Sequence, residues 1–159
     1  MITPIGIVKS SFQRGDKDYK NLFSDLIMHK EFIKGLDGIQ EFSHIYVLYW
    51  MHGASQGRQL TLKVHPWGNK KLPLLGFFAT RTPDRPNPVG LTLVELVRVN
   101  KNQLTVRGLD ALDGSPIIDI KPCDLWDIEE YYKIRIPQWW KKARPKTWTK
   151  WQRMKNLLR

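Results

Sequence analysis

Leu91-Thr92-Leu93-Val94-Glu95-Leu96-Val97-Arg98-Val99-Asn100-Lys101-Asn102-Gln103-Leu104-Thr105-Val106-Arg107-Gly108-Leu109 is the stretch that decides how this chain folds. Residues 91–99 and 103–109 are rich in β-branched and other apolar side chains, which fit a pleated, half-buried surface. The polar Asn100-Lys101-Asn102 between them is a hairpin signal. A strand, a tight turn and a returning strand define an antiparallel pair, and the flanking sequence repeats that theme.

Upstream, Ile5 to Phe12 reads as a short strand running into a polar loop from Gln13 to Asn21. Leu26-Ile27-Met28 reads as a second strand, and His29 to Leu36 as a brief helix closed by Gly35 and Gly38. Phe42 to His52 is dense in aromatic and β-branched residues and apolar on both faces, which predicts a central strand. A Gly/Ser/Gln loop (residues 53–57) leads to an extended Thr61 to Val64, a turn at Pro66-Trp67-Gly68-Asn69 and a short strand from Leu74 to Ala79. Downstream, Asp113-Gly114 marks a turn, and Ile117 to Lys121 a last strand stopped by Pro122. No helix of useful length is expected before residue 125. The pattern is all-β, a barrel or a sandwich.

The tail differs in kind. From Trp126 onward the chain carries five of its seven tryptophans together with a cluster of Lys and Arg. Thr147 is placed to cap a last helix on which Trp148, Trp151, Lys155 and Leu158 fall at helical spacing. Basic residues interleaved with aromatics suit RNA, but the same tryptophans also suit docking of the helix on the β domain or on a second subunit. The expected organisation is a β domain over residues 1–125 and a helical, basic extension over 126–159.

Composition narrows the function. With 159 residues and 42% apolar content, the chain is long enough to bury a core. Its net charge of +11 points to a polyanionic partner such as RNA, because neutralising phosphates releases counterions. Cys123 is the sole cysteine, so neither a disulfide framework nor a cysteine-based zinc site is available. Apolar runs such as Ile45 to Met51 fall far short of the roughly 20 residues of a membrane span. The start, Met1-Ile2-Thr3-Pro4-Ile5-Gly6, lacks a signal-peptide pattern, and a soluble cytoplasmic protein is expected. His29, His44, His52 and His65 show no metal-ligand spacing, so no metal site is expected. His44 reads as a satisfied core residue, while His52, at the strand's end, is better placed for a site. Neither a phosphate-binding P-loop nor a G-x-G-x-x-G after a strand is present, and no Ser or Cys sits in a nucleophile elbow.

Two stretches remain for chemistry. In Gly76-Phe77-Phe78-Ala79-Thr80-Arg81-Thr82-Pro83-Asp84-Arg85-Pro86-Asn87-Pro88-Val89-Gly90, three prolines fix φ and remove backbone donors. Such a loop has little entropy left to lose when Arg81, Arg85 or Asn87 grips an anion. The alternative is a rigid crossover with solvated arginines. The second stretch runs from Arg107 to Pro122. Gly108 would let a ligand approach the backbone closely, and Asp110 is suited to accept hydrogen bonds from a ribose diol. Strand alternation puts Asp119 and Lys121 on one face and Ile118 and Ile120 on the other. Such an Asp/Lys pair is otherwise a surface salt bridge of small value.

Taken together, Ile5-Gly6-Ile7-Val8-Lys9-Ser10, Phe42-Ser43-His44-Ile45, Phe78-Ala79-Thr80-Arg81, Arg85-Pro86-Asn87-Pro88-Val89-Gly90, Gly108-Leu109-Asp110, Asp113-Gly114-Ser115-Pro116 and Asp119-Ile120-Lys121-Pro122 resemble the TrmO/TsaA-like family of β-barrel tRNA methyltransferases. The resemblance spans roughly residues 1–125. It implies a single-sheet antiparallel β-barrel that forms a homodimer, with S-adenosylmethionine (SAM) bound near the subunit interface. It further implies methyl transfer to N6 of threonylcarbamoyladenosine next to the tRNA anticodon. Matched by motif, His52, Gly53, Arg81, Leu91, Arg107, Gly108, Leu109 and Asp110 would bind SAM. Arg85 and Asn87 are the candidates for substrate binding, and Asp119 for the proton acceptor, with Lys121 orienting a substrate carboxylate or phosphate. Where family members carry Ser-Pro-Phe and then Pro-Arg-Gln, this chain has Ser10-Ser11-Phe12 followed by Gln13-Arg14-Gly15-Asp16-Lys17-Asp18. Two rival readings are a different methyl acceptor, either another RNA base or a small molecule, and a basic RNA-binding barrel without catalysis.

Overall fold

The computed structural model describes residues 2–54, 61–129 and 134–143, with the side chains of 128, 129 and 142 excepted. Its strands are β1 (Gly6–Ser10), β2 (Phe23–Met28), β3 (His44–Trp50), β4 (Lys63–Val64), β5 (Leu75–Gly76), β6 (Val89–Asn100), β7 (Gln103–Arg107) and β8 (Pro116–Pro122). Among the described residues, β1-β2-β7-β6-β3-β8 close into one barrel, every neighbouring pair antiparallel, and β4-β5 form a separate two-stranded sheet. This is the all-β, single-sheet antiparallel barrel that the resemblance implies.

Alternation builds the barrel interior. On β3, Ile45, Val47 and Tyr49 face inward and are almost fully buried, while Tyr46, Leu48 and Trp50 face outward and are half-buried. Val8, Leu26, Val94, Leu104, Val106 and Ile117 complete the core, along with Leu109 and Ala111 from the loop after β7. The predicted central strand is therefore β3, hydrogen-bonded to β6 on one side and β8 on the other. His44, expected in the core, is instead exposed, and its Nδ1 lies 3.0 Å from the Ser43 hydroxyl oxygen. The inward phase begins one residue later, at Ile45.

Closure depends on two irregularities that simple alternation does not reveal. β6 pairs with β3 through Val89–Glu95 and with β7 through Glu95–Asn100, and the register with β7 shifts between Leu96 and Arg98. Val97 is the extra residue, and a bulge there bends the long strand from one neighbour to the next. A second shift pairs Leu48 with Asp119 but Tyr49 with Ile117, so Ile118 is bulged out. Consequently Ile117 and Ile120 pack on the core, correcting the expectation that Ile118 and Ile120 share a face.

Other elements differ in extent. Lys30–Leu36 is a 3-10 helix rather than an α-helix, followed by Gly38 at φ 87°. The strand expected from Leu74 to Ala79 is confined to Leu75–Gly76. Phe77–Ala79 is a 3-10 turn, because both the amide and the hydroxyl of Thr80 donate to the Phe77 carbonyl, at 3.1 and 2.8 Å. The β6–β7 turn is tight, with Lys101 at φ 53°. The Asn102 side chain donates to the Met28 carbonyl and the Asn102 carbonyl accepts from the Met28 amide, tying the turn to β2.

The chain divides into two compact units, 1–124 and 125–159. The second contains α1 (Trp126–Glu129) and α2 (Gln138–Ala143), with Trp139 and Trp140 ring centroids 5.2 Å apart in an edge-on arrangement. The helix expected after Thr147, and part of the 53–57 loop, lie outside the described residues. Among the described residues no helix is long and apolar enough to cross a membrane.

Candidate functional site

At one end of the barrel, the outgoing end of β3, the start of β6 and the loop between β7 and β8 meet. Asp110 lies at their junction. Its Oδ1 accepts from the Thr92 hydroxyl, and Oδ1 and the Asp110 carbonyl lie 3.1 and 3.2 Å from the Tyr49 hydroxyl, which donates to them. Thr92 is on the inward face of β6, opposite Val47, and Tyr49 is on the inward face of β3. Both therefore reach the carboxylate from inside the barrel. Oδ2 takes no hydrogen bond from a described residue, so Asp110 is oriented through one oxygen and keeps acceptor capacity on the other.

Tyr49 is only 4% exposed, and burial pushes its phenol well above the ordinary tyrosine value; the adjacent Asp110 charge pushes the same way. The hydroxyl thus stays protonated and acts as a donor. Gly90 makes the arrangement possible, since a Cβ there would lie 2.3 Å from Tyr49 Cζ.

His52 and Gly53 continue from β3 into the same region. His52 Nδ1 is 3.2 Å from the hydroxyl oxygen of Ser115, which is almost fully buried. The Gly53 carbonyl accepts from Arg14 Nη2, and a Cβ on Gly53 would lie 3.0 Å from Leu112. Arg14, in the loop that departs from the family pattern, is thereby brought to the end of β3. The proline-rich loop returns to the same place: the Met51 amide donates to the Pro88 carbonyl at 2.8 Å, one residue before His52.

Within that loop the two arginines have different environments. Arg85 points inward along its own loop, its Nε donating to the Thr82 carbonyl at 3.0 Å and its Nη2 to the carbonyls of Thr80 and Phe77. Its guanidinium staples the loop. Arg81 is exposed, and among the described residues no hydrogen bond or ion pair joins it to Asp110. Asn87 is exposed, and its carbonyl accepts from the Val89 amide at 2.8 Å.

The remaining candidates divide by face. Gly108 (φ 92°) and Leu109 are buried and carry the chain inward to Asp110. Arg107 is exposed and ion-paired with Glu95 on β6. Leu91 is 56% exposed on the outward face of β6, opposite Leu48, which in turn pairs with Asp119. Leu91 and Asp119 thus flank Leu48 on the outer wall, about 10 Å apart at two strand spacings. Asp119 Oδ2 and Lys121 Nζ are 2.8 Å apart, and Asp119 Oδ1 accepts from the Ile120 amide. Sequence reasoning missed Arg14, Tyr49, Thr92 and Ser115. A usable signal existed for Thr92, a hydroxyl set among the apolar Leu91, Leu93 and Val94. Among the described residues no group of three or more His, Cys, Asp or Glu side chains is placed to hold a metal ion.

The chain as a whole is similar to known proteins. A protein of Archaeoglobus fulgidus named an S-adenosyl-L-methionine-binding protein is 46% identical over 126 residues, covering 76% of this chain and 87% of the relative. A protein of Methanothermobacter thermautotrophicus named a probable S-adenosyl-L-methionine-binding protein is 48% identical over 126 residues, covering 76% and 88%. The crystal structure of TrmO from Pseudomonas aeruginosa superposes with a TM-score of 0.66 at 27% identity; 87% of this chain is covered, but only 60% of the solved chain. Residues 13–143 match the profile of the tRNA-methyltransferase O N-terminal domain, and the chain belongs to that family.

Proposed function

We propose that this protein is a SAM-dependent methyltransferase acting on tRNA, with N6 of threonylcarbamoyladenosine beside the anticodon as the acceptor. The carrying observation is the convergence of His52–Gly53, the Pro88 end of the rigid loop and Gly108–Asp110 around the Tyr49–Asp110–Thr92 hydrogen bonds. The donor set fits an adenosyl group: Asp110 offers a preoriented carboxylate oxygen to a ribose diol, and exposed Leu91 and Phe78 offer apolar surface to an adenine ring. SAM supplies an activated methyl group, so the protein's task is alignment and proton removal.

Asp110, backed by Tyr49 and Thr92, holds the ribose. His52 and Gly53 line the same end of the barrel, and Arg81, exposed on a proline-stiffened loop, supplies a cation for a carboxylate or phosphate. Arg85 acts on substrate through the loop it staples, and Asn87 sits exposed on that same loop. The N6 nitrogen of a carbamoylated adenine is a poor nucleophile, because its lone pair is delocalised; an acceptor for its proton helps. Asp119 fills that role on the outer wall and Lys121 orients the substrate's carboxylate. The site requires the outer wall as well as the barrel end, which favours a homodimer in which the exposed Leu91 and Leu93 of β6 meet a second copy, and a tRNA substrate implies a cytoplasmic protein. The basic extension over 126–159 adds to the attraction for tRNA.

Titration calorimetry with SAM, followed by nucleoside analysis of tRNA incubated with protein and SAM, tests the reading. Binding with a new N6-methyl product is expected. SAM binding with methyl on a different base or a small molecule would move the acceptor, and no heat with millimolar SAM would leave an RNA-binding barrel. Asp119→Asn is expected to retain SAM affinity and lose methylation; an unchanged rate removes Asp119 from the chemistry.

A further inference from the structure

Between Glu41 and Asp84 the sequence contains no acidic residue, yet it contains Arg58, Lys63, Lys70, Lys71 and Arg81. The structure gathers part of this charge on the β4–β5 hairpin, outside the barrel sheet. Lys63, Lys70 and Lys71 are all exposed there. Among them stands Trp67, 64% exposed at φ 53°, a left-handed backbone that a bulky side chain rarely adopts.

The turn that holds this conformation is extensively bonded. His65 Nδ1 donates to the Leu72 carbonyl at 2.8 Å, and the amides of Gly68, Asn69 and Leu72 donate to the carbonyls of His65, Pro66 and Asn69. The Lys71 amide donates to Asn69 Oδ1 at 3.0 Å. Backbone held in a sparsely populated region by surrounding structure is a reason to look for function. Trp67 contributes no buried core, since two-thirds of its surface faces outward. An indole 64% exposed on a hydrogen-bonded turn, with exposed lysines on the same hairpin and no carboxylate in the segment, is complementary to a stacked base with flanking phosphates.

We infer that the β4–β5 hairpin is an RNA-contacting arm, in which the Trp67 indole stacks on an unpaired base while Lys70 and Lys71 hold adjacent phosphates. The inference rests on the tRNA reading above and adds the element that grips the unpaired part of the substrate. A stacked base carries little sequence information, so the arm selects for unpaired RNA rather than for one nucleotide.

The test uses the full chain and a fluorescent stem–loop RNA, with the fully paired duplex for comparison. Trp67→Asn removes the ring but suits the left-handed backbone, and Trp67→Phe keeps an aromatic face. The expected result is roughly tenfold weaker stem–loop binding for Trp67→Asn and substantial retention for Trp67→Phe, with duplex binding little changed. Replacing both Lys70→Gln and Lys71→Gln is expected to flatten the slope of log affinity against log salt by about 1.4. Thermal melting and SAM titration of each variant report whether the barrel is intact. If the wild-type protein binds the stem–loop and Trp67→Asn binds it equally well, the arm is refuted while the tRNA reading stands. If the wild-type protein binds SAM but no RNA, or binds phosphatidylserine vesicles in place of RNA, the arm and the tRNA reading fall together.

Discussion

The Tyr49 hydroxyl donates to the Asp110 carboxylate over 3.1 Å, joining the inward face of β3 to the loop after β7 across 61 positions of sequence. Since Oδ1 is shared with the Thr92 hydroxyl, the carboxylate is fixed from two strands and presents Oδ2. Tyr49→Phe removes one of those fixings without changing the ring. A hydrogen bond to a charged group contributes about 1.5–3 kcal/mol, and the variant is expected to lose stability of that order in urea denaturation. SAM affinity is expected to fall roughly tenfold, since a loosened carboxylate must be ordered on binding. Affinity unchanged by calorimetry would show that the Tyr49 hydroxyl does not preorganise Asp110 for the ribose.

The same pair sets an alkaline dependence. Burial, with the Asp110 charge assisting, raises the Tyr49 phenol above its unfolded value of 10. Above that pH the unfolded chain releases a proton that the folded chain retains, so this contribution to stability is complete below about pH 10 and declines as pH rises further. The limiting slope for one proton is about 1.4 kcal/mol per pH unit. Other tyrosines and lysines titrate in this range, so the measurable quantity is a difference. Between pH 9 and 11.5, roughly, Tyr49→Phe is expected to lose less stability than the wild-type protein. Parallel curves would mean that the phenol is not shielded.

Gly90 controls whether Tyr49 can occupy its place. A Cβ at position 90 would lie 2.3 Å from Tyr49 Cζ and 2.6 Å from each adjacent ring carbon, so Gly90→Ala must displace the ring or the strand. Overpacking of this kind costs about 1–3 kcal/mol, and here it should also weaken SAM binding by moving the hydroxyl off Asp110. Gly35→Ala is the contrasting case. A Cβ there meets nothing within 4 Å, so a change of less than about 1 kcal/mol is expected. Thermal unfolding and SAM titration of both variants separate a specific effect of Gly90 from a general effect of losing glycine.

How much of this was legible in the sequence follows from the physics of each element. The dense aromatic and β-branched run around Ile45, Val47 and Tyr49, and the polar turn around Lys101, announce strands and a hairpin because such side chains fit a pleated surface and the polar residues interrupt it. The bulges at Val97 and Ile118 were not legible, because one extra residue leaves composition unchanged while reversing the face of everything beyond it. His44 was misplaced for a related reason: an apolar run shows that a strand exists but not where its inward phase begins. For the site, Asp110 and His52 were visible from motif and position. Tyr49, Thr92 and Ser115 act through partners more than 15 positions away, and no local pattern announces such a contact. Arg14 was hidden because its loop departs from the family pattern.

Arg81 and Arg85 look equivalent in the sequence, but the structure gives them separable roles. Arg85 donates to the carbonyls of Thr82, Thr80 and Phe77, so Arg85→Ala leaves a half-buried loop without its staple. A loss of about 2–3 kcal/mol is expected, by thermal or urea unfolding, with SAM affinity falling because the Pro88 end of the loop reaches the amide next to His52. Arg81 is exposed and bonded to none of these carbonyls, so Arg81→Ala should leave stability within about 0.5 kcal/mol of wild type. Its effect should appear only with ligand, as weaker SAM or RNA binding that high salt diminishes in the wild-type protein but less in the variant. Arg81→Lys should restore part of that binding, while Arg85→Lys should not restore stability, because one ammonium cannot span the carbonyls that a guanidinium fork reaches. If Arg81→Ala unfolds as easily as Arg85→Ala yet binds normally when folded, the loop is a structural crossover, and neither arginine belongs to the site.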